Sequence, residues 1–419
     1  MHALRLTLPM LVAALVAGAY PAHAGVIVVA GDGSGDFLTL QPAIDAANEG
    51  DTILLRDPSV EFSFTLVDGK GLAIVGDVPV GSGGLEVVGN LVVRNLTVGQ
   101  QVVLRNLAID SWFPTAPAVH LQDNQGGVWI EDCTAVGGIG QGGAPFGCSG
   151  VSAVPGGAGV FAQDCDAVTI VDCALEGGPG SDAFDLWPLH FAAPATDGGP
   201  GVRVADSEVA IYDSPLTGGA GGGGSLCGEG GDGAFGLDLD NGPSKAFISG
   251  CTLNGGAAGS GLPGGGARAV GSTLEMLDSL ANPAPGGEAF VMPPSSLTAY
   301  SGTARSFQVS SPLREGQAGT LHMQGLQGDF VGFLWSFNGG MLSMPARNGW
   351  FLIASGFLAG PFVVGGIAAP TGVADIPITG PNLPPAAEEM SFLLQAYFVH
   401  VGGVTLGSGT AFTLVDQTL

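Results

Sequence analysis

Between Ala118 and Ser279 the chain repeats one pattern of apolar and polar positions five times. Each copy holds two short runs that alternate with period two, as half-buried β-strands do. The first runs are Ala118–Asn124, Gly159–Cys165, Gly201–Ser207, Gly233–Leu239 and Gly266–Ser272. In the second runs one register is uniformly aliphatic: Val128/Ile130, Val168/Ile170, Val209/Ile211, Ala246/Ile248 and Leu274/Met276. The other register is mixed (Trp129/Glu131, Thr169/Val171, Ala210/Tyr212, Phe247/Ser249, Glu275/Leu277), so the aliphatic set faces the core. The runs are too short and too glycine-rich for helix. Self-similarity of this kind predicts a solenoid, with Ile130, Ile170, Ile211 and Ile248 stacked over one another. Successive copies start 41, 42, 32 and 33 residues apart. The variation lies in glycine-rich inserts that follow a Gly-Gly pair, at one constant point of the coil, which puts them on one face.

Outside the repeat the pattern changes twice. Val26–Leu55 reads as a strand, a Gly/Asp turn, an amphipathic helix near Leu40–Ala47 and a second strand. A helix there covers the open apolar end of the solenoid. Leu85–Val88, Leu91–Leu96 and Val102–Ile109 supply further strands, and Asn95 and Asn106 follow them at corners where Asn tolerates left-handed backbone. The repeat stops near Pro283–Gly287. Beyond it come longer alternating runs, Phe330–Phe337, Trp350–Ala354, Phe392–Val401 and Thr410–Val415, which predict a separate β-sandwich. The expected organisation is a targeting segment over 1–24, a solenoid with glycine-rich inserts over 25–290, and a sandwich over 295–419 that serves as a folding cap or surface-association module.

Composition narrows the function. Seventy-four Gly and 28 Pro would point to disorder, but 46% hydrophobic residues fill a core, so disorder is expected only in the inserts. Eleven basic residues against 37 acidic ones give a net charge of −26, which disfavours nucleic acid and anionic membrane surfaces as partners. Arg5, the apolar run Leu6–Val16 and Ala22-His23-Ala24 form an export signal, with the mature chain starting near Gly25. That run is too short to span a membrane, no later segment reads as a span, and the protein is expected to be secreted or at the cell surface. Export permits disulfides. Cys133, Cys165, Cys173 and Cys251 interchange with Ser at strand ends, as small stacked side chains do, whereas Cys148 and Cys227 lie in inserts and are the candidate disulfide.

The opening segment resembles that of secreted right-handed parallel β-helix proteins of the pectate lyase and pectin methylesterase type. The shared marks are Asp32-Gly33-Ser34-Gly35-Asp36-Phe37, Gln41…Ala43-Ile44…Ala46 and Gly50-Asp51-Thr52-Ile53, continued by Val67–Asp77. The resemblance implies an all-β fold: a right-handed parallel β-helix with a short N-terminal capping helix, here followed by the β-sandwich. It also implies polysaccharide chemistry, but the catalytic signatures of methylesterases, polygalacturonases and lyases do not follow the cap.

Three constellations remain. The corner column of Asp123, Asp164, Asp206 and Asp238, with Asp132, Asp172, Asp213 and Asp278, reads as turn-forming residues or as a Ca²⁺ ladder. Ca²⁺ is the one cofactor left open, and no metal set is assigned. The second insert carries Asp182, Asp185 and His190 beside Phe184, Trp187 and Phe191. The plainer reading is a loop folded back on the solenoid; the sharper one is an acid–base or metal-binding pair of carboxylates with rings for a sugar. Finally, the third positions of the first strands, His120, Phe161, Arg203, Phe235 and Arg268, alternate ring and cation along one flat face. That suits a polysaccharide or cell-envelope glycan, with Trp187 as a wall, as well as it suits packing beneath the inserts. The favoured reading is polysaccharide binding without catalysis. The alternatives are a diverged polysaccharide lyase or hydrolase, and a structural or adhesive surface protein.

Overall fold

The computed structural model describes residues 24–56, 64–77, 85–142, 153–186, 191–224, 230–240, 242–292, 295–353, 362–367, 371–385 and 387–419. The repeat folds as a parallel β-helix, and the predicted stack is present: Ile130, Ile170, Ile211 and Ile248 are direct register partners in neighbouring coils. Each coil has three faces, because a strand too short for period-two analysis follows the two read from sequence. Sheet one contains Phe64–Asp68, Asn90–Arg94, the first halves of Val119–Glu131 and Val160–Val171, then Val202–Ala205, Leu237–Leu239, Ala267–Ala269 and Phe290–Val291. Sheet two runs from Val26–Val29 to Ser296–Tyr300, through the second halves of the two long strands. Sheet three is the seven-stranded stack that includes Thr134–Val136, Ala174–Glu176, Pro215–Thr217 and Thr252–Asn254, each sending one residue (Ala135, Leu175, Leu216, Leu253) into the core.

The corners explain the polar columns. Asn95, Asp123, Asp164 and Asp206, between sheets one and two, and Asn106, Asp132, Asp172, Asp213 and Asp278, between sheets two and three, have φ between 46° and 59°. Short polar side chains tolerate this left-handed backbone, and Gly250 replaces them in one coil with φ 68°. The next residue turns inward and satisfies an amide of the coil before it. Ser207 Oγ accepts Cys165 N–H at 2.9 Å, Ser214 Oγ accepts Cys173 N–H at 3.0 Å, and Ser279 Oγ accepts Cys251 N–H at 3.1 Å. Cysteine sulfur does the same work, with Cys173 Sγ 3.4 Å from Cys133 N. That is why Cys and Ser interchange, and Cys133, Cys165, Cys173 and Cys251 are all free and buried.

The N-terminal cap is the helix Leu40–Ala46, which buries Leu40, Ala43 and Ile44 on the end of the core. Gln41 clamps the first strand of sheet one: its Oε1 accepts Leu66 N–H at 2.7 Å and its Nε2 donates to Leu66 O at 3.1 Å. Asp36 and Asp51 take the amides of Val28 and Gly25. No helix of the described residues is long and apolar enough to cross a membrane.

The described parts of the glycine-rich inserts are not loose loops. They run out from sheet three and back to sheet one as extended segments that bond to one another through nine successive steps, from Ala116 through Gly138, Gly157, Gly178, Gly199, Gly219, Ala234, Gly256 and Gly264 to Ala284. Donors at Gly177, Gly180 and Ala183 go to Thr217, Ala220 and Gly223, one coil on. Neighbours therefore recur every three residues, the period of a polyproline II helix and not of a strand. Three-fold packing of this kind leaves no room for side chains: a Cβ on Gly177 would lie 1.8 Å from Gly199 O, and one on Gly178 2.0 Å from Gly138 O. Over the described residues of the inserts the expectation of disorder fails for this reason. Lateral amide bonds hold the segments in place of a hydrophobic core.

Residues from Ser306 onward form a sandwich, and the boundary expected at 295 falls later because Ser296–Tyr300 pairs parallel with Thr273–Leu277 as the last strand of sheet two. A three-stranded antiparallel sheet (Ser306–Val309, Ala318–Gln324, Val373–Thr379) faces a five-stranded one built around Phe330–Ser336, Glu389–His400 and Gly403–Val415. Phe307, Met323, Phe333, Phe398 and Phe412 fill the space between them. The sandwich does not hang free. It lies on the outer face of sheet two, where Trp129, Val171, Tyr212, Phe247 and Leu277 pack with Trp350, Leu352, Ile353, Leu393, Ala411 and Val415. The mixed register of the second strands is thus a buried interface.

Candidate functional site

With sheet two covered, sheets one and three keep open outer faces, and the row of rings and cations lies on sheet one. Its central row follows the strand register: His120, Phe161, Arg203, Asp238 and Arg268 are successive partners. The His120 and Phe161 rings stack face to face at 5.1 Å and 3°. The Arg203 guanidinium continues the stack, 5.1 Å above the Phe161 ring. Arg268 pairs bidentately with Asp238, at 2.7 and 2.6 Å, and Arg203 pairs with Asp240. The side chains of Arg203 and Arg268 remain 43% and 38% exposed. A parallel row of Arg94, Gln122 and Gln163 runs beside the first. Arg94 carries its own partner, Asp68, at 2.8 Å.

Phe235 does not belong to this row. In the fourth coil the glycine that starts the strand is Gly236, where a Cβ would meet Leu216 O at 2.7 Å and Asn254 N at 2.9 Å. Gly159, Gly201 and Gly266 start the other strands in equally tight places. Gly233 and Ala234 instead complete the glycine lattice, exactly one three-residue period earlier. Phe235 therefore lies at the bend, where its ring packs under Arg268 at 5.2 Å. The same shift removes Asp238 from the corner column: it lies within the strand Leu237–Leu239 and is Arg268's partner. Sequence reasoning missed both salt bridges because they depend on this register.

Within the rows the charges cancel, three arginines against three aspartates, and the exposed corner aspartates Asp123, Asp164 and Asp206 border the face with negative charge. Burial pushes the His120 imidazole below its ordinary value, against a weaker opposing pull from Asp123. At neutral pH His120 is an uncharged ring. Among the described residues no group of three or more His, Cys, Asp or Glu converges to hold a metal ion, and the corner aspartates are accounted for by backbone geometry.

The insert candidates do not assemble with this row in what is described. Asp182 is exposed at the rim of the lattice, where it accepts the Gly223 amide at 2.6 Å. Asp185 lies on the short strand Phe184–Leu186, paired antiparallel with Phe191–Ala193. Trp187, His190, Cys148 and Cys227 lie outside the described residues.

An acid–arginine convergence does exist elsewhere. Arg105 is fully buried, 2.8 Å from Glu131 and 2.9 Å from Asp132. It donates to Val309 O and Thr410 Oγ1, both in the sandwich, at 3.0 and 3.1 Å, and to Ala411 O. Glu131 also accepts from Trp129 Nε1 at 2.9 Å and from Ala411 N–H at 2.6 Å. Every member is sealed between the two modules, so the cluster works as a clasp. The outward position of Glu131 was visible in sequence, but its cover was not.

No protein-family model matches the sequence. Comparison with curated proteins gives no match. Among solved structures the chain is similar to a pectin methylesterase from Aspergillus niger, crystallised in a penultimately deglycosylated form. The identity is 13% and the TM-score 0.26, over 67% of this chain and 86% of that one. The likeness is too loose to bear on what this chain does.

Proposed function

We propose that this is a secreted or surface-exposed β-helix protein that binds an uncharged polysaccharide, without cleaving it, along the outer face of sheet one. The observation that carries the reading is the half-exposed stack of His120, Phe161 and Arg203 on a rigid sheet. Flat groups spaced ~4.8 Å apart along the stack match the length of a sugar ring. Because His120 and Arg203 stack on the Phe161 ring, the stack presents ring edges and guanidinium N–H groups to a chain laid across it, and the flanking Gln122 and Gln163 offer amide bonds to hydroxyls. The arginines are already paired with Asp238 and Asp240, and the chain as a whole is strongly acidic, so a polyuronate gains little here. Against catalysis stands the location of Arg105, Glu131 and Asp132 beneath the sandwich.

The test is a glycan array followed by titration calorimetry on wild type, Phe161→Ala and Arg203→Ala. Loss of one ring's contact, worth roughly 0.5–1.5 kcal/mol, weakens binding about two- to tenfold. Equal affinity in all three proteins, or no glycan bound by wild type, removes this face. A reducing-end assay on the bound glycan separates binding from cleavage.

A further inference from the structure

We propose that the seam between solenoid and sandwich is a proton-operated latch, closed tightest in mildly acidic surroundings and loosened as they turn alkaline. Cations in the seam are gathered at two places, Arg105 beside Glu131 and Asp132, and Arg314 of the sandwich with Arg56 of the solenoid on Asp77, at 2.6 and 3.0 Å; the remaining seam carboxyl groups lie away from them. Glu389, on the sandwich, is buried against the solenoid, where it accepts Thr52 Oγ1 at 2.8 Å and Ser391 Oγ at 2.9 Å. Among the described residues no arginine or lysine pairs with it, and Asp51 of the solenoid opposes it with like charge. Further along, the corner aspartates Asp132, Asp172 and Asp213 lie in a row, coil above coil, and Asp278 continues it beyond Gly250. The sandwich-side segment that covers this row brings Ala304 N–H to Asp278 at 2.9 Å and Gln308 Nε2 to Asp172. Arg305 on that segment turns away to Asp329, at 2.5 Å. Arg105 reaches only the Asp132 end, where it is shared with Glu131. Asp213, between Asp172 and Asp278, has a buried Oδ2 without a partner, with the Tyr212 hydroxyl and the Cys251 thiol as its other titratable neighbours.

Burial and mutual repulsion push Asp213 up to about 7, and burial does the same for Glu389. Burial raises Glu131 and Asp132 too, but Arg105 pulls against it and both belong to the clasp, so the latch rests on Asp213 and Glu389. Both are raised above their values in a separated chain. Their contribution to docking is therefore complete below about pH 4 and is lost as pH rises through about 7. Each such carboxyl changes the docking equilibrium about tenfold per pH unit within that window. Loosening uncovers Trp129, Tyr212 and Phe247 on sheet two.

The experiment is hydrogen exchange of the full-length protein from pH 5 to 8.5, corrected for the intrinsic rate. Seam amides such as Ala411, Gly339 and Ala304 are compared with solenoid-core amides such as Ile170 and Ile211. Protection at the seam is expected to fall at least tenfold between pH 6 and 8 while the core changes less. The fall should persist in 0.5 M NaCl, because buried charges are poorly screened, whereas surface repulsion from the −26 net charge is screened. Glu389→Gln and Asp213→Asn should each flatten the profile; asparagine tolerates the φ of 51° at position 213. Flat seam protection in wild type, a fall abolished by salt, or variants as steep as wild type each overturn the latch. Should the variants fail to fold, the wild-type profile at the two salt concentrations decides alone.

Discussion

Gly178→Ala isolates the glycine lattice. A Cβ at this position would lie 2.0 Å from Gly138 O, whereas carbon and oxygen ordinarily approach no closer than about 3.3 Å. Relief requires the two segments to part by about 1.3 Å at this point. The amide bonds that join them through Gly157 are short, Gly157 N to Gly138 O at 2.7 Å and Gly178 N to Gly157 O at 2.8 Å. Taken up at one of these bonds, that displacement stretches it to about 4 Å, where it no longer counts as a hydrogen bond; shared, it stretches both to about 3.4 Å. One buried amide bond lost, at about 1–3 kcal/mol, and the strain of overpacking, about 1–3 kcal/mol, come to roughly 2–6 kcal/mol. The lower chain entropy of alanine in the unfolded state returns about 0.4–1 kcal/mol, so a net loss of roughly 1–5 kcal/mol is expected. Gly402 is the control, since a Cβ there meets nothing within 4 Å, and Gly402→Ala should stay within about 0.5 kcal/mol of wild type. Urea denaturation measures both, and exchange of the Gly157, Gly178 and Gly199 amides should accelerate only in the lattice variant. A Gly178→Ala protein as stable as the Gly402→Ala control would refute the lattice as an ordered, side-chain-excluding array.

Two further predictions concern the clasp and the corners. Arg105→Met leaves Glu131 and Asp132 buried without their cation, and should cost about 3–5 kcal/mol. Tryptophan fluorescence from Trp129 and Trp350 in the seam should then report an earlier, separate transition, and a single wild-type-like melt would count against the clasp. Asp164→Asn should be nearly neutral, whereas Asp164→Val at φ 51° should cost roughly 1–2 kcal/mol in the same melts; equal stabilities would mean that left-handed geometry does not select the corner residue.

The sequence by itself determined the solenoid. Period-two alternation assigns Ile130, Ile170, Ile211 and Ile248 to one face, and five repeats of it leave stacking as the only way to bury that face. The cap was equally local, since Leu40, Ala43 and Ile44 share one side of a single helix. Short polar residues at the corners were legible for the same reason: a left-handed φ is a property of one residue. What escaped depends on partners distant in the chain. The start of the fourth strand is set by the close fit of Gly236 against Leu216 and Asn254, on two adjacent strands of sheet three, so Gly233-Ala234-Phe235 imitated a strand start that packing does not use. The inserts looked structureless because a glycine run carries no side-chain pattern; their order lies in backbone bonds between segments some 20 residues apart. The mixed face of sheet two shows neither core nor solvent periodicity, because it is buried by a module whose Ala411 meets Glu131 across 280 residues. Alternation reports how one segment divides its two faces, and only the assembled structure decides what covers each.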